Sequence, residues 1–160
     1  MSGISRQLED TSGIVAPPPL LYVGAFLSGM AIHTFLPLSL LSAVSLRLIT
    51  GITLSVGSGL FVFWALLTMR RFKTTISPYR PSTAIVMTGP YRLSRNPIYI
   101  AMTGLYAGVA FLLNSVCPLL ILPLLLFVMH HGVILREERY LSLKFSETYD
   151  SYKSKVRRWL

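Results

Sequence analysis

Residues 98–135 read IYIAMTGLYAGVAFLLNSVCPLLILPLLLFVMHHGVIL and contain no Asp, Glu, Lys or Arg over 38 positions. As one helix, this run would measure about 57 Å at about 1.5 Å per residue, nearly twice the hydrocarbon core of a bilayer, which is about 30 Å thick. The chain must therefore turn back, and residues 114–118 (NSVCP) hold the turn-forming side chains. The run predicts a helical hairpin with arms at 98–113 and 119–135.

Two further apolar runs precede the hairpin. Residues 20–41 and 48–69 each contain 22 residues without a formal charge, and about 20 apolar residues suffice for one crossing. Over the 160-residue chain, 52% of residues are hydrophobic, 13% are charged and the mean hydropathy is +0.59, values that do not fit a soluble globule. The sequence therefore predicts an all-α integral membrane protein, a single domain over residues 1–160 with about four transmembrane helices.

The basic residues are distributed unevenly between the two ends of such a bundle. Four crossings put the N-terminal residues, the connection at 70–97 and the tail at 136–160 on one side, which then carries 14 of the 15 Lys and Arg residues, with Arg47 on the other. The positive-inside rule makes the first side cytoplasmic. The net charge of +9 suits anionic lipid headgroups, whereas no basic stripe with interleaved aromatics indicates nucleic acid.

The tail at 136–160 has the pattern of an amphipathic helix. Its apolar residues recur at spacings of four and three, which puts them on one helical face; they are Leu141, Phe145, Tyr149, Tyr152, Val156 and Trp159. We expect this face either to pack on the helix bundle or to lie in the headgroup region. The sequence does not indicate an oligomeric state.

The two feet of the hairpin carry charges of both signs. Residues 89–99 (GPYRLSRNPIY) supply two arginines, and Glu137 and Glu138 follow the second arm. Because the hairpin brings its feet together, these groups form a mixed-charge site at the membrane surface that suits a small zwitterionic ligand. Charges at a helix end are also typical of a structural ion pair, and the residues alone leave both interpretations open. A single cysteine and an adjacent histidine pair give no metal-ligand set.

An ordered set of motifs surrounds this site: GPYR at 89–92, RNPIY at 95–99, the long apolar hairpin, and Glu137-Glu138 followed by the apolar stripe of the tail. This order resembles the isoprenylcysteine carboxyl methyltransferase and phospholipid methyltransferase superfamily. The resemblance implies a membrane methyltransferase that holds S-adenosyl-L-methionine at the cytoplasmic face and acts on a lipidic or lipid-soluble acceptor. The cofactor contacts that it implies are Thr83, Ala84, Ile85, Val86, Tyr91, Arg95, Asn96, Pro97, Ile98, Tyr99 and Glu137.

The resemblance does not define the methyl acceptor or the residue that takes its proton as closely. Glu138 and His130 are candidates, by position, for taking a proton from an amine or thiol substrate. Asn96 stands where the family usually has histidine, and Val133 where the eukaryotic prenylcysteine enzymes have a substrate-binding arginine. The acceptor therefore stays open among a prenylcysteine carboxylate, a phospholipid amine and a small thiol. An NADPH-dependent enzyme similar to sterol reductases and a non-enzymatic four-helix membrane scaffold are the alternative interpretations.

Overall fold

The computed structural model describes residues 12–72 and 84–159, and within these ranges the chain is helical, without a strand. In order, the elements are α1 (Pro18–Phe35), α2 (Val44–Arg71), a 3₁₀ turn (Gly89–Arg92), α3 (Pro97–Leu112), α4 (Val116–Met129), a π turn (His130–Ile134) and α5 (Leu135–Lys155). The all-helical class is confirmed. Helices α3 and α4 are the two arms of the expected hairpin.

Helix α1 ends earlier than the apolar run that predicted it. The expectation of a helix over 20–41 is wrong beyond Phe35, because Pro37 disfavours helical torsions at the residue before it. The chain after α1 instead bonds to the hairpin turn. The Oδ1 atom of Asn114 accepts from the amides of Leu40 and Leu41 at 3.1 and 3.0 Å, and Asn114 adopts a φ of 55° that asparagine tolerates well.

The observed bounds of the other helices differ from the predicted bounds by smaller amounts. The run at 48–69 lies within a longer helix, Val44–Arg71, and the first hairpin arm is Pro97–Leu112 instead of 98–113. The second arm starts at Val116 and does not stop near residue 135. It continues through the π turn into α5, so that Val116–Lys155 forms one helical segment of 40 residues, with a bend at Ser146 (φ 41°, ψ −119°).

The hairpin arms pack mainly on other helices. Helix α3 lies along α2 and α4 lies along α1, and the arms contact each other less. Small residues allow the first pairing, since a Cβ atom added at Gly108 would stand 2.9 Å from the Ser55 amide nitrogen and 3.0 Å from the Gly51 carbonyl oxygen. Such close approach of two backbones is typical of packed membrane helices.

The cores lie inside the bundle and large apolar side chains lie on its surface. A cluster of buried residues joins α1 to α4, with Tyr22, Leu125, Met129 and Val133 among its members. Two segments of the described chain, Val44–Arg71 and Val116–Lys155, are long and apolar enough to cross a membrane, while the apolar helix Pro97–Leu112 is shorter. The tail predicted as amphipathic turns its tyrosines inward, and Tyr149 and Tyr152 are buried.

Candidate functional site

A hydrogen bond across the hairpin feet forms the centre of the candidate site. The hydroxyl of Tyr99, in the first turn of α3, donates to Oε1 and Oε2 of Glu137 at 2.9 and 3.0 Å. Tyr22 of α1 supports Tyr99 from behind, since its hydroxyl donates to the Tyr99 carbonyl at 3.3 Å and is hydrogen-bonded to Thr103 at 2.8 Å. The predicted closeness of the two feet is therefore confirmed, and three helices meet at this point.

Glu137 has an unusual electrostatic environment for a carboxyl group. Burial raises its pKa to about 7; the hydrogen bond from Tyr99 opposes this shift, and the neighbouring charge of Glu138 adds to it. Burial dominates because the carboxylate loses hydration there and no cation of the described residues pairs with it. A cation placed beside Glu137 would stabilise the ionised carboxylate.

Tyr91, in the 3₁₀ turn, forms the second part of the site. Its side chain is buried, and its hydroxyl has no hydrogen-bond partner in the part of the chain that the structure describes. Burial raises its pKa above the usual range, and the proximity of Tyr152 and Glu137 raises it further. The turn is anchored by Tyr152, whose hydroxyl donates to the Tyr91 carbonyl at 2.6 Å. Tyr91 is thus a neutral donor close to Glu137.

An apolar wall adjoins Tyr91. Val86 and Ala65 are buried against the tyrosine ring, and Met69 and Ile98 pack on the same cluster. The segment before the 3₁₀ turn, the end of α2 and the start of α3 all contribute to this wall. It is an apolar cluster next to the polar groups of Tyr91 and Glu137.

Glu138 lies beside Glu137 in the sequence but has different partners. Arg158 donates to both of its oxygens, from Nε to Oε1 at 2.9 Å and from Nη2 to Oε2 at 2.7 Å. Nη1 of Arg95 lies 3.0 Å from the same Oε1, and Nε of Arg95 is buried without a hydrogen bond to any described residue. The Glu138 carboxylate therefore pairs with two guanidinium groups.

The loop at 94–96 is bonded to the segment after α5. The Arg95 amide donates to the Arg157 carbonyl at 3.0 Å, and the Ser94 hydroxyl and Asn96 side-chain amide both donate to the Arg158 carbonyl at 3.0 Å. Asn96, which occupies the position where histidine is usual in the resembling family, thus contacts backbone in this structure. Pro97 follows it as the buried first residue of α3.

The predicted cofactor residues fall into three groups. Val86, Tyr91, Ile98, Tyr99 and Glu137 come together as described above, and Arg95, Asn96 and Pro97 form the adjoining loop. Ala84 and Ile85 are partly buried on the approach to Val86, and Thr83 lies outside the described residues.

The two predicted proton acceptors lie on the Arg158 side of the site. Glu138 is engaged by two guanidinium groups. His130 begins the π turn, stacks edge-on against His131 with ring centroids 4.8 Å apart, and is close enough to Glu138 and Arg158 to feel their charges. Neither side chain is hydrogen-bonded to Tyr99 or Glu137 in the structure, so their proposed role stays a prediction. Over 12–72 and 84–159, no group of three or more His, Cys, Asp or Glu side chains could hold a metal ion.

Three residues of the site could not be predicted from the sequence. Tyr22, Tyr152 and Arg158 all hold the site residues in place, and each lies more than 50 residues from its partner or beyond a bend in α5. Tyr152 was expected only as part of an apolar stripe, and Arg158 only as part of a basic face.

Most of the helices described above lie in a range that matches a known protein family. The profile of a family described as phospholipid methyltransferase matches residues 46–148, which include nearly all of α2, the whole of α3 and α4, and both hairpin feet. The nickel-cobalt-cadmium resistance protein NccN of Alcaligenes xylosoxydans xylosoxydans is 36% identical over 73 residues, which are 46% of this chain and 34% of that protein. The chain thus spans about a third of that relative's length. No solved structure matches significantly.

Proposed function

Because the chain belongs to the phospholipid methyltransferase family, within the isoprenylcysteine carboxyl methyltransferase-like superfamily, we propose that it is a membrane-embedded, S-adenosyl-L-methionine-dependent methyltransferase acting on a lipidic or lipid-soluble acceptor. The observation that carries this proposal is the contact of Tyr99 with Glu137 beside the Tyr91 hydroxyl, which has no hydrogen-bond partner among the described residues. All three residues lie within the matched range.

The surface of the bundle supports a membrane location. Soluble proteins rarely expose large contiguous apolar patches, yet many leucine, isoleucine, valine and phenylalanine side chains of α1 and α2 are exposed here. They include Leu20, Val23, Leu27, Phe35, Ile49, Ile52, Val56, Leu60 and Phe63. In the proposed arrangement these side chains face lipid, four crossings are made, and both termini and the site lie on the cytoplasmic side.

The site residues fit the chemical groups of the proposed cofactor. Glu137 would pair with the ammonium group, and the Arg95 side chain, whose Nε is buried without a hydrogen bond to any described residue, would serve the carboxylate. The wall of Val86, Ile98 and the Tyr91 ring suits an aromatic base. Buried polar groups in folded proteins are almost always satisfied, so the free Tyr91 hydroxyl and Arg95 Nε are atoms that a ligand would complete.

The contribution of the protein to methyl transfer would be alignment and exclusion of water. S-adenosyl-L-methionine supplies an electrophilic methyl group when it is bound. The residues of this chain would fix its position, with Glu137 holding a cation and Tyr91 donating a hydrogen bond from a site screened from water. The proton of an amine or thiol acceptor would pass to Glu138 or His130. For Glu138 this requires the release of one of its guanidinium partners.

The surroundings of Val133 favour an acceptor without a carboxylate. Val133 is fully buried in the apolar cluster that also contains Tyr22 and Met129. The aliphatic side chain of valine has no group that can pair with an anion. We therefore favour a phospholipid amine, a small thiol or another amphiphile over a prenylcysteine carboxylate as the substrate.

Ligand titration of the purified protein in detergent tests the proposed function. Saturable binding of S-adenosylhomocysteine, lost in Glu137→Ala, is the expected result. Glu147→Ala is the matched control, because Glu147 is an exposed glutamate on the same helix. Saturable NADPH binding instead would support the reductase interpretation, and binding of neither ligand would support a scaffold. Methyl-labelled cofactor added to membranes would then identify the acceptor as lipid, protein or small molecule.

A further inference from the structure

The segment that follows α5 crosses to the loop before α3. The chain leaves the helix at Val156 with extended torsions (φ −124°, ψ 130°). The next two residues, which we call the 157–158 latch, then meet residues 94–96. Three donors of that loop bond to two carbonyl groups of the latch, all at 3.0 Å. Two of these three bonds end on the Arg158 carbonyl, so this peptide is the main backbone attachment.

The side chain of Arg158 makes a second attachment, to α5. Its bidentate contact with Glu138 has the fork geometry of strong guanidinium-carboxylate pairs. The Glu138 side chain is 13% exposed and that of Arg158 is 32% exposed, so the pair is partly shielded from water and salt. Arg95 completes the group from the loop side. Arg158 therefore bonds to the loop through its backbone and to the helix through its side chain.

The residues to which the latch bonds flank the Tyr99–Glu137 contact, and the latch itself makes no bond to that contact. Asn96 directly precedes α3, whose first turn carries Tyr99, and Glu138 directly follows Glu137 in the chain. None of the hydrogen bonds or ion pairs of Arg157 and Arg158 involves Tyr99 or Glu137 among the described residues. A displacement of the latch would thus change the separation of the two feet, and with it the shape of the site.

We propose that Arg158 is a positioning residue, and that the 157–158 latch holds the 94–97 loop and the first turn of α5 in the arrangement that lets Tyr99 and Glu137 meet. Preorganisation of this kind reduces the ordering cost of ligand binding. The latch lies outside residues 46–148, the range that the family profile matches. The predicted effect on S-adenosylhomocysteine binding rests on the proposed function, whereas the predicted effect on the loop does not.

Hydrogen exchange without ligand tests the latch independently of any activity. In detergent, Arg158→Ala should speed exchange of the backbone amides at residues 95 and 96 by about tenfold or more, since a charge-assisted bidentate contact and its ordered backbone are lost. Arg157→Ala is the matched control. Its exposed side chain is removed while the carbonyl that bonds to Arg95 stays, so exchange should remain near the wild-type rate.

Ligand binding provides the second measurement. Arg158→Ala should weaken S-adenosylhomocysteine binding about tenfold, and Arg158→Lys, which keeps the charge but loses the fork, should weaken it less. Should Arg158→Ala not fold, Asn96→Ala removes one latch bond, and its faster loop exchange would still support the proposal.

The possible outcomes separate the two hypotheses. Unchanged exchange in both Arg158→Ala and Asn96→Ala, or equal effects of the Arg157 and Arg158 substitutions, would overturn the latch. Faster exchange in Arg158→Ala, together with no S-adenosylhomocysteine binding by the wild-type protein, would support the latch and reject the proposed function.

Discussion

Glu137 and Glu138 are adjacent in the chain, yet one carboxylate has a neutral partner and the other has two cationic partners. Glu137 accepts from a neutral phenol, whereas Glu138 is held by two arginines. Burial of a carboxylate that has no cationic partner is costly, and burial raises the pKa of Glu137. Glu137 is therefore the residue that can pair with a positively charged ligand, and Glu138 is a structural anchor in the unliganded protein.

The pH dependence of ligand binding is the first test at the residue scale. Because burial raises the pKa of Glu137 to about 7 from 4.5, the unliganded fold gains stability from the neutral carboxyl below about pH 4.5 and loses it as the pH rises through about 7. A cationic ligand group requires the ionised form. Affinity for S-adenosylhomocysteine should therefore rise by up to about tenfold between about pH 6 and about pH 8, as measured by calorimetry. Glu137→Gln should flatten this profile, and a wild-type affinity independent of pH would contradict the pairing.

Removal of the Glu138 carboxylate should affect stability more than removal of an exposed one. In Glu138→Ala, the Arg95 side chain, which is 11% exposed, would be left as a largely buried cation without its partner. We expect the free energy of unfolding in detergent to fall by about 2–4 kcal/mol. Glu147→Ala, on the exposed face of the same helix, should change it by less than about 0.5 kcal/mol. Equal effects of the two substitutions would mean that the charge group around Glu138 contributes little to stability.

At the scale of elements, the contact between α2 and α3 determines where Tyr99 lies. Two glycines of α3, Gly104 and Gly108, face serines of α2 at distances that leave no space for a side chain. The Gly-xxx-Gly spacing thus serves packing within the chain. Because Tyr99 is on α3 and Glu137 is on the helix that follows α4, the site depends on how two separate helix pairs are held together.

A larger residue at Gly108 should separate α2 from α3. Its added atoms would meet the Ser55 amide and the Gly51 carbonyl, which are backbone groups that cannot rotate away. Gly108→Val should lower the free energy of unfolding by about 1–3 kcal/mol and weaken ligand binding. Gly57→Ala is the control, since no atom of the described residues lies within 4 Å of a Cβ atom there, and it should be neutral or slightly stabilising. Thermal denaturation in detergent measures both, and a neutral Gly108→Val would show that the contact is loose.

The π turn at His130–Ile134 is an element that the sequence does not predict. It inserts an extra residue into the long helix directly before Glu137, and such turns occur often at functional sites. The carbonyl of Gly132 is used by the chain before α1, since the Val15 amide donates to it at 3.1 Å. Arg136 bonds to Gly13 in the same region, at 2.7 Å. The orientation of Glu137 thus depends on a segment more than 100 residues earlier.

At the scale of the whole molecule, the part of the fold that the sequence predicts is the part that depends on hydropathy. The 38-residue uncharged run is too long for one crossing, which was sufficient to predict a hairpin and the closeness of its feet. Helix pairing was not predictable in this way, because α3 prefers α2 through glycine and serine contacts that hydropathy does not register. The latch was not predictable either, since carbonyl groups accept hydrogen bonds whatever side chain they carry, and only the fold brings residues 157 and 158 to the loop.

The orientation of the molecule in the membrane is the last prediction. If 14 of the 15 Lys and Arg residues lie on the cytoplasmic side, the segment after α5 faces inward and the loop between α1 and α2 faces outward. Cys117 is buried, so Cys117→Ala provides a background for single cysteines at the exposed positions Ser154 and Ser42. In bacterial spheroplasts, a membrane-impermeant maleimide should label Ser42→Cys at once and Ser154→Cys only after lysis. The reverse pattern would place the Tyr99–Glu137 site on the outer face, where a cytoplasmic methyl donor could not reach it, and labelling of both positions without lysis would exclude the arrangement with four crossings.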